Sequence, residues 1–262
     1  MHDAPDTLVI PSWANGPGAP GAGSGNGGWT AGLLAPFVTV AAGAGVAVSL
    51  RVPPPIGREL HLVRASGSAE LRDGDTLVAD AAPATVSIDV PDAITSITHA
   101  QALEAMAGFP FREHHPFPRC IACGIARDPG TPALGVHCGP VAGTTVPDDE
   151  GTPVPVFASA WTPTPDLANA DRPEVASVEA CWSALDCPSA APFADPDAEH
   201  ASVLARIAVR LDAPARIGEP HVLAAWRTRV DGRKQWSRSV LIDATGAVLG
   251  AADALWIEVR PR

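Results

Sequence analysis

The chain has 262 residues, 46% of them hydrophobic, and a formal charge of −11 from 18 basic and 29 acidic side chains. That is enough apolar chain for one large domain or two small ones with a real core, which excludes global disorder. The acidic balance, with Lys234 the single lysine, argues against nucleic acid, because a polyanion groove needs several cations to displace counterions.

No stretch approaches about 18 apolar residues free of charge and proline, so no membrane span is expected. The opening "MHDAPDTLV" lacks the basic and apolar regions of a signal peptide. Five cysteines are an odd number and few for a stapled secreted fold, which points to reduced thiols and a cytoplasmic location. Abundant Ala, Pro, Gly and Arg with no Tyr resembles the bias of a GC-rich bacterial genome.

After a leading strand comes "GSGNGGWTAGLLA", Gly23 to Ala35. Gly23, Gly25 and Gly28 fit G-x-G-x-x-G, the phosphate-cradling fingerprint. The context does not fit it. The approach "PSWANGPGAPGAG" holds three prolines, and no acidic residue occurs between Asp6 and Glu59. A helix start remains, predicted over Gly28 to about Ala42 with Pro36 set to kink it or end it early. Its first turn carries unpaired N–H groups and partial positive charge, which glycine leaves open to close approach.

Next comes a repeat. "VSLRVPPPIGRELHL" (Val48 to Leu62) and "VRLDAPARIGEPHVL" (Val209 to Leu223) share Val, Leu, Pro, Ile, Gly and Leu at constant offset. Each reads as a strand, a Pro-containing corner, an Ile-Gly turn and a second strand. Asp73-Gly74 and Asp231-Gly232 then mark hairpins. A short helix is predicted at "THAQALEAMAGF", with Ala100, Leu103, Met106 and Ala107 on one face and Gly108 as its stop. The Pro- and Gly-rich stretch from about Pro110 to Glu150 reads as a connector plus the first strand of a second half.

A second helix is predicted from about Pro173 to Cys187, started by Pro173 and barred from continuing by Pro188. Val175, Val178, Trp182 and Leu185 form its apolar stripe, and Glu179 and Asp186 border it. A carboxylate beside a buried face is desolvated, which raises its pKa and suits it to act as a base near neutrality. Glu179 reads as an exposed helix charge. Each half thus reads as a leading strand, one helix and three or four antiparallel strands.

The connector motif "HHPFPRCIACG" followed by "GVHCG" supplies His114, His115, Cys120, Cys123, His137 and Cys138. These cysteines read first as buried small residues, so no metal ligand is assigned. A structural zinc is the second reading and a redox pair the third. Cys181 and Cys187 lack a partner His and Asp for a cysteine nucleophile, and no G-x-S-x-G is present.

The helix-then-hairpin order in both halves, with "NGGWTAGLLA", "ACWSALDCPSA" and the "PPPIG" and "PARIG" corners, resembles a tandem (double) hotdog fold. This is an α+β architecture in which each half wraps one long helix in an antiparallel sheet. The specific resemblance is to double-hotdog acyl-CoA thioesterases of the phenylacetate and 4-hydroxybenzoyl-CoA type. It implies an N-terminal half at residues 1–110, a connector at 111–135 and a C-terminal half at 136–262. It also implies an acyl-CoA thioester as substrate, coenzyme A being part of that substrate, with no required cofactor and a possible homodimer.

By the same resemblance Gly28 is the N–H donor to the oxyanion, Gly27 shapes the turn and Asn26 assists. Asp186, in "SALD", activates water or attacks the thioester itself. Arg233 and Lys234, within a basic cluster with Arg227, Arg229 and Arg238, would meet coenzyme A phosphates. Matching Trp29 to Trp182 puts Leu33 at the Asp186 position, so one site per chain is expected across the seam. The alternatives are a non-catalytic hotdog that binds acyl-CoA or a lipid-like ligand, a hotdog hydratase lacking its usual Asp and His pair here, and a zinc-stabilised interaction module.

Overall fold

The computed structural model describes residues 6–16, 23–86 and 89–259. The first half comprises β1 (Thr7–Val9), α1 (Gly27–Leu34), β2 (Gly45–Leu50), β3 (Glu59–Ala65), β4 (Ser68–Asp73) and β5 (Thr76–Ala84). Two short helices follow, α2 (Asp92–Thr95) and α3 (His99–Ala105). The second half repeats the order with one strand added in front, β6 (Gly139–Pro147), followed by β7 (Pro153–Trp161), α4 (Val178–Ala190), β8 (Ser202–Leu211), β9 (His221–Asp231), β10 (Lys234–Ile242) and β11 (Val248–Glu258).

All these strands join one antiparallel sheet in the order β1-β3-β4-β5-β2-β8-β11-β10-β9-β7-β6. The halves meet where β2 pairs with β8, in the register Val46↔Val209, Ala47↔Ala208 and Val48↔Ile207. Strand side chains alternate between faces. Val46, Val48, Ile207 and Val209 therefore enter one core with α1 and α4, while Ala47 and Ala208 enter a second core on the opposite face. The central strands are buried on both sides.

The repeated turns have a local cause. Both Asp-Gly pairs close two-residue hairpins, with Asp73 opposite Thr76 and Asp231 opposite Lys234. Gly74 and Gly232 each adopt φ 57°, the positive value a tight hairpin requires at its first central residue. At the two corners Gly57 donates its N–H to Ile10 O and Gly218 donates to Pro163 O, which gives the same hydrogen bond in each half.

Several sequence expectations change. Helix α1 stops at Leu34 and passes into a 3₁₀ turn at Ala35–Phe37, because Pro36 cannot continue it; it does not reach Ala42. Helix α4 begins later, at Val178, where Ser177 caps it by accepting from Ala180 N. It then runs through Pro188 to Ala190. Proline removes one helical hydrogen bond there, and hydroxyl groups serve the neighbouring carbonyls: Ser239 donates to Leu185 O and Ser189 to Asp186 O, each at 2.6 Å.

The face of α3 is also different from the expected one. Ala102 and Ala105 are buried, whereas Leu103 is 58% exposed. Ile94 and Ile97 ahead of the helix anchor it in the second core and so set its rotation. Although α2 and α3 precede residue 111, they share that core with Val141 and Val146 of β6 and Val154 and Val156 of β7.

Candidate functional site

The site forms where α1 crosses α4. Gly28 and Gly32, four residues apart, lie on one face of α1. A Cβ on Gly28 would sit 2.6 Å from Asp186 Cβ and 2.7 Å from both Ser183 Cα and Trp182 O. One on Gly32 would sit 2.6 Å from Glu179 Cα. Only bare backbone permits this approach, and it carries the first turn of α1 onto the third turn of α4.

Asp186 is 2% exposed. Its Oδ2 accepts from Gly28 N at 2.8 Å and from Asn26 Nδ2 at 3.0 Å, while buried Oδ1 has no hydrogen-bond partner among the described residues. Loss of solvation raises the carboxyl pKa from 3.8 to about 7, against the stabilising pull of the Gly28 N–H and the Asn26 amide. Asn26 is equally fixed. It caps α1, its Oδ1 accepting from Trp29 N at 2.8 Å and from Ser183 Oγ at 3.0 Å. Of the first-turn N–H groups of α1, Gly28 serves Asp186, Trp29 serves Asn26 Oδ1 and Thr30 serves Asn26 O. Gly27 N–H has no acceptor among the described residues.

A cavity of about 660 Å³ opens beside these groups, bounded by Asn26, Gly27, Asp186 and Cys187. Its walls carry aromatic side chains, with Phe109 ahead of the connector, Phe111 and Phe117 within it, Phe193 after α4 and Trp256 of β11. Phe109 also packs on His137, with ring centroids 4.8 Å apart. The connector is therefore one wall of the site as well as the link between the halves.

Cys120 and Cys123 join that wall. Cys120 Sγ lies 3.6 Å and Cys123 Sγ 3.4 Å from Cys187 Sγ on α4, beside Asp186. Thiol donors from Cys123 and Cys187 hold the Cys120 thiol well below its ordinary pKa, and the Cys123 and Cys187 thiols are pushed up in turn. Asn26 Nδ2 lies 3.7 Å from Cys120 Sγ and 3.8 Å from Cys187 Sγ.

The structure thus brings together Asn26, Gly27, Gly28 and Asp186. Two expectations need correction. Gly28 N–H is engaged by Asp186 Oδ2 and so does not face the cavity as an open donor. Arg233 and Lys234 sit at the β9–β10 turn outside the cavity lining, where Arg51 is the sole Arg or Lys among the described residues. Arg51 is itself paired with Asp80 at 2.5 Å. Others of the basic cluster are likewise paired, Arg229 with Asp231 and Arg238 with Asp253, each at 3.2 Å.

The Trp29-to-Trp182 match also fails. Gly25 N to Pro54 O and Ala176 N to Ala215 O are equivalent bonds at the two helix entries, which aligns Asn26 with Ser177. The Ala-Pro-Phe exits align Ala35 with Ala191. Helix α4 has 13 residues against 8 in α1, so no single offset fits both ends. The counterpart of Asp186 is Ala35 by entry or Thr30 by exit; neither is an acid. The meeting of Cys187 with the connector cysteines and of Ser183 with Asn26 was not foreseen, since spacing within one helix does not tell which distant residues it meets.

One helix per half, laid against its twin and enclosed by a shared antiparallel sheet, defines the double-hotdog fold. No protein-family model and no curated protein sequence matches the chain. Among solved structures it is similar to a tesB protein of Mycobacterium avium subs paratuberculosis, with TM-score 0.56 and 12% identity over 93% of this chain and 90% of that one. It is similar also to an acyl-CoA thioesterase II of Mycobacterium marinum, with TM-score 0.53 and 11% identity over 91% of each chain. A hot dog fold protein of unknown function from Alicyclobacillus acidocaldarius matches at TM-score 0.50 and 13% identity, over 91% and 89%. No helix among the described residues is long and apolar enough to cross a membrane.

Proposed function

We propose that the chain hydrolyses an acyl-CoA-type thioester at the α1–α4 seam, with Asp186 as general base. The observation that carries this is a buried carboxylate held by the opposite half's helix start, with one oxygen unpartnered among the described residues, in the wall of an aromatic-lined cavity. Water attacks the thioester carbonyl carbon while Asp186 Oδ1 takes its proton. The C–S bond then breaks, the leaving thiolate takes the proton held by Asp186, and carboxylic acid and thiol are released with Asp186 regenerated. Gly27 N–H, at the positive end of α1, in the cavity wall and with no acceptor among the described residues, takes the oxyanion role first expected of Gly28. The aromatic walls suit an apolar acyl group. The likeness to thioesterase structures supports the reading at the level of fold alone.

Kinetics of Asn26→Ser test it. Serine still caps α1, but it removes the amide donor to Asp186 Oδ2. A hydrogen bond to a charged group is worth about 1.5–3 kcal/mol, so kcat is expected to fall at least about tenfold with KM little changed. A variant as active as the parent would remove this contact from the chemistry. The engagement of Gly28 N–H favours a second reading, an acyl-CoA-binding protein without turnover, which tight binding with no thiol release would establish.

A further inference from the structure

We propose that Cys120, Cys123 and Cys187 form a zinc site in the cavity wall, with three thiolate ligands and a fourth position left to solvent or an entering ligand. The three sulfurs lie within 4.8 Å of one another, and the two separations to Cys187 are 3.6 and 3.4 Å. Tetrahedral zinc with Zn–S bonds of about 2.3 Å requires sulfurs about 3.8 Å apart. A disulfide would need about 2.05 Å, so the triangle is spaced for a shared ion and not for a covalent pair.

The backbone is shaped to the same end. "CIACG" is a tight turn in which Gly124 donates its N–H to Cys120 O at 2.9 Å. A Cβ on Gly124 would sit 2.5 Å from Cys120 O and 2.6 Å from Pro118 O, so glycine is required to close it. The turn is then fastened at both flanks, Ile121 N to Asn15 O and Val136 N to Ala122 O, each at 2.8 Å. Asn26 Nδ2 directs its amide toward the Cys120 and Cys187 sulfurs, and such outer donors support thiolate charge.

Two cysteines in a pinned turn meet a third on a helix 64 residues later, so the fold brings three thiols from distant parts of the chain to one point. Soft thiolates select zinc over calcium or magnesium, and three protein ligands with an open position is the pattern of a reactive zinc site. His137 and Cys138, candidate ligands from the sequence, lie outside the sulfur triangle among the described residues. The site lies beside Asp186 but does not depend on the thioester reading, because its test uses no thioester.

The full chain, purified under reductant without chelator and incubated with equimolar zinc, should retain one zinc per chain through desalting. Cobalt in its place should give sulfur-to-cobalt charge transfer and the strong visible bands of a tetrahedral thiolate site. Cys187→Ser should lose the metal, while Cys181→Ser and Cys138→Ser keep it. If Cys187→Ser does not fold, the parent's zinc content and cobalt spectrum still decide. Absence of retained zinc in the parent overturns the proposal, as does zinc that persists in a folded Cys187→Ser or iron with inorganic sulfide in its stead.

Discussion

Asp186→Asn is expected to lower thioester hydrolysis by about 10²–10⁴-fold, the range that a positioned general base supplies. The variant is nearly isosteric. Its side-chain oxygen still accepts from Gly28 N and Asn26 Nδ2, so the α1–α4 crossing keeps its hydrogen bonds. What disappears is the capacity of the second oxygen to take a proton from water. Folding should not suffer, because a neutral amide avoids the cost of burying a carboxylate whose Oδ1 has no hydrogen-bond partner among the described residues. The measurement is kcat/KM beside a melting curve. Lost activity with an unchanged or higher melting temperature is predicted, and equal activity would remove Asp186 from the mechanism.

Gly28→Val is expected to act the other way, through the fold. The added branch must enter space where a Cβ already meets Ser183 Cα and Trp182 O at 2.7 Å. These are backbone atoms of a helix buried on nearly every side, and they cannot swing aside as a flexible side chain would. Overpacking of this kind costs about 3 kcal/mol or more. In a chain of this size that lowers Tm by about 6–12 °C. Forcing the helices apart also separates Gly28 N from Asp186 Oδ2, so activity falls with stability. A Gly28→Val variant with the parent's melting temperature would mean that the crossing is not the tight one described.

Much of this was legible in the sequence where chemistry is local. The Asp-Gly hairpins, the paired Ile-Gly corners and an early break at Pro36 follow from turn geometry, proline and a repeated pattern, whereas the meeting of Gly28 with Asp186 was expected only from the hotdog resemblance. What could not be read depends on contacts between distant residues. Pro188 lies within α4 because Ser239, 54 residues beyond Leu185, and Ser189 supply hydroxyl groups to the carbonyls beside the break. Leu103 faces outward because Ile94 and Ile97, not the alanine-rich helix itself, choose which side of α3 is buried. The engagement of Gly28 N–H by Asp186, and the meeting of Cys187 with the connector cysteines, appear only when one half is laid on the other.

The most direct measurement is release of free thiol by the wild-type chain from a panel of acyl-CoA esters, short, long and aromatic, with the carboxylic acid quantified in parallel. Steady formation of thiol and acid in equal amounts from at least one ester is predicted. Esters that bind without releasing thiol, across the whole panel, would contradict hydrolysis at the seam.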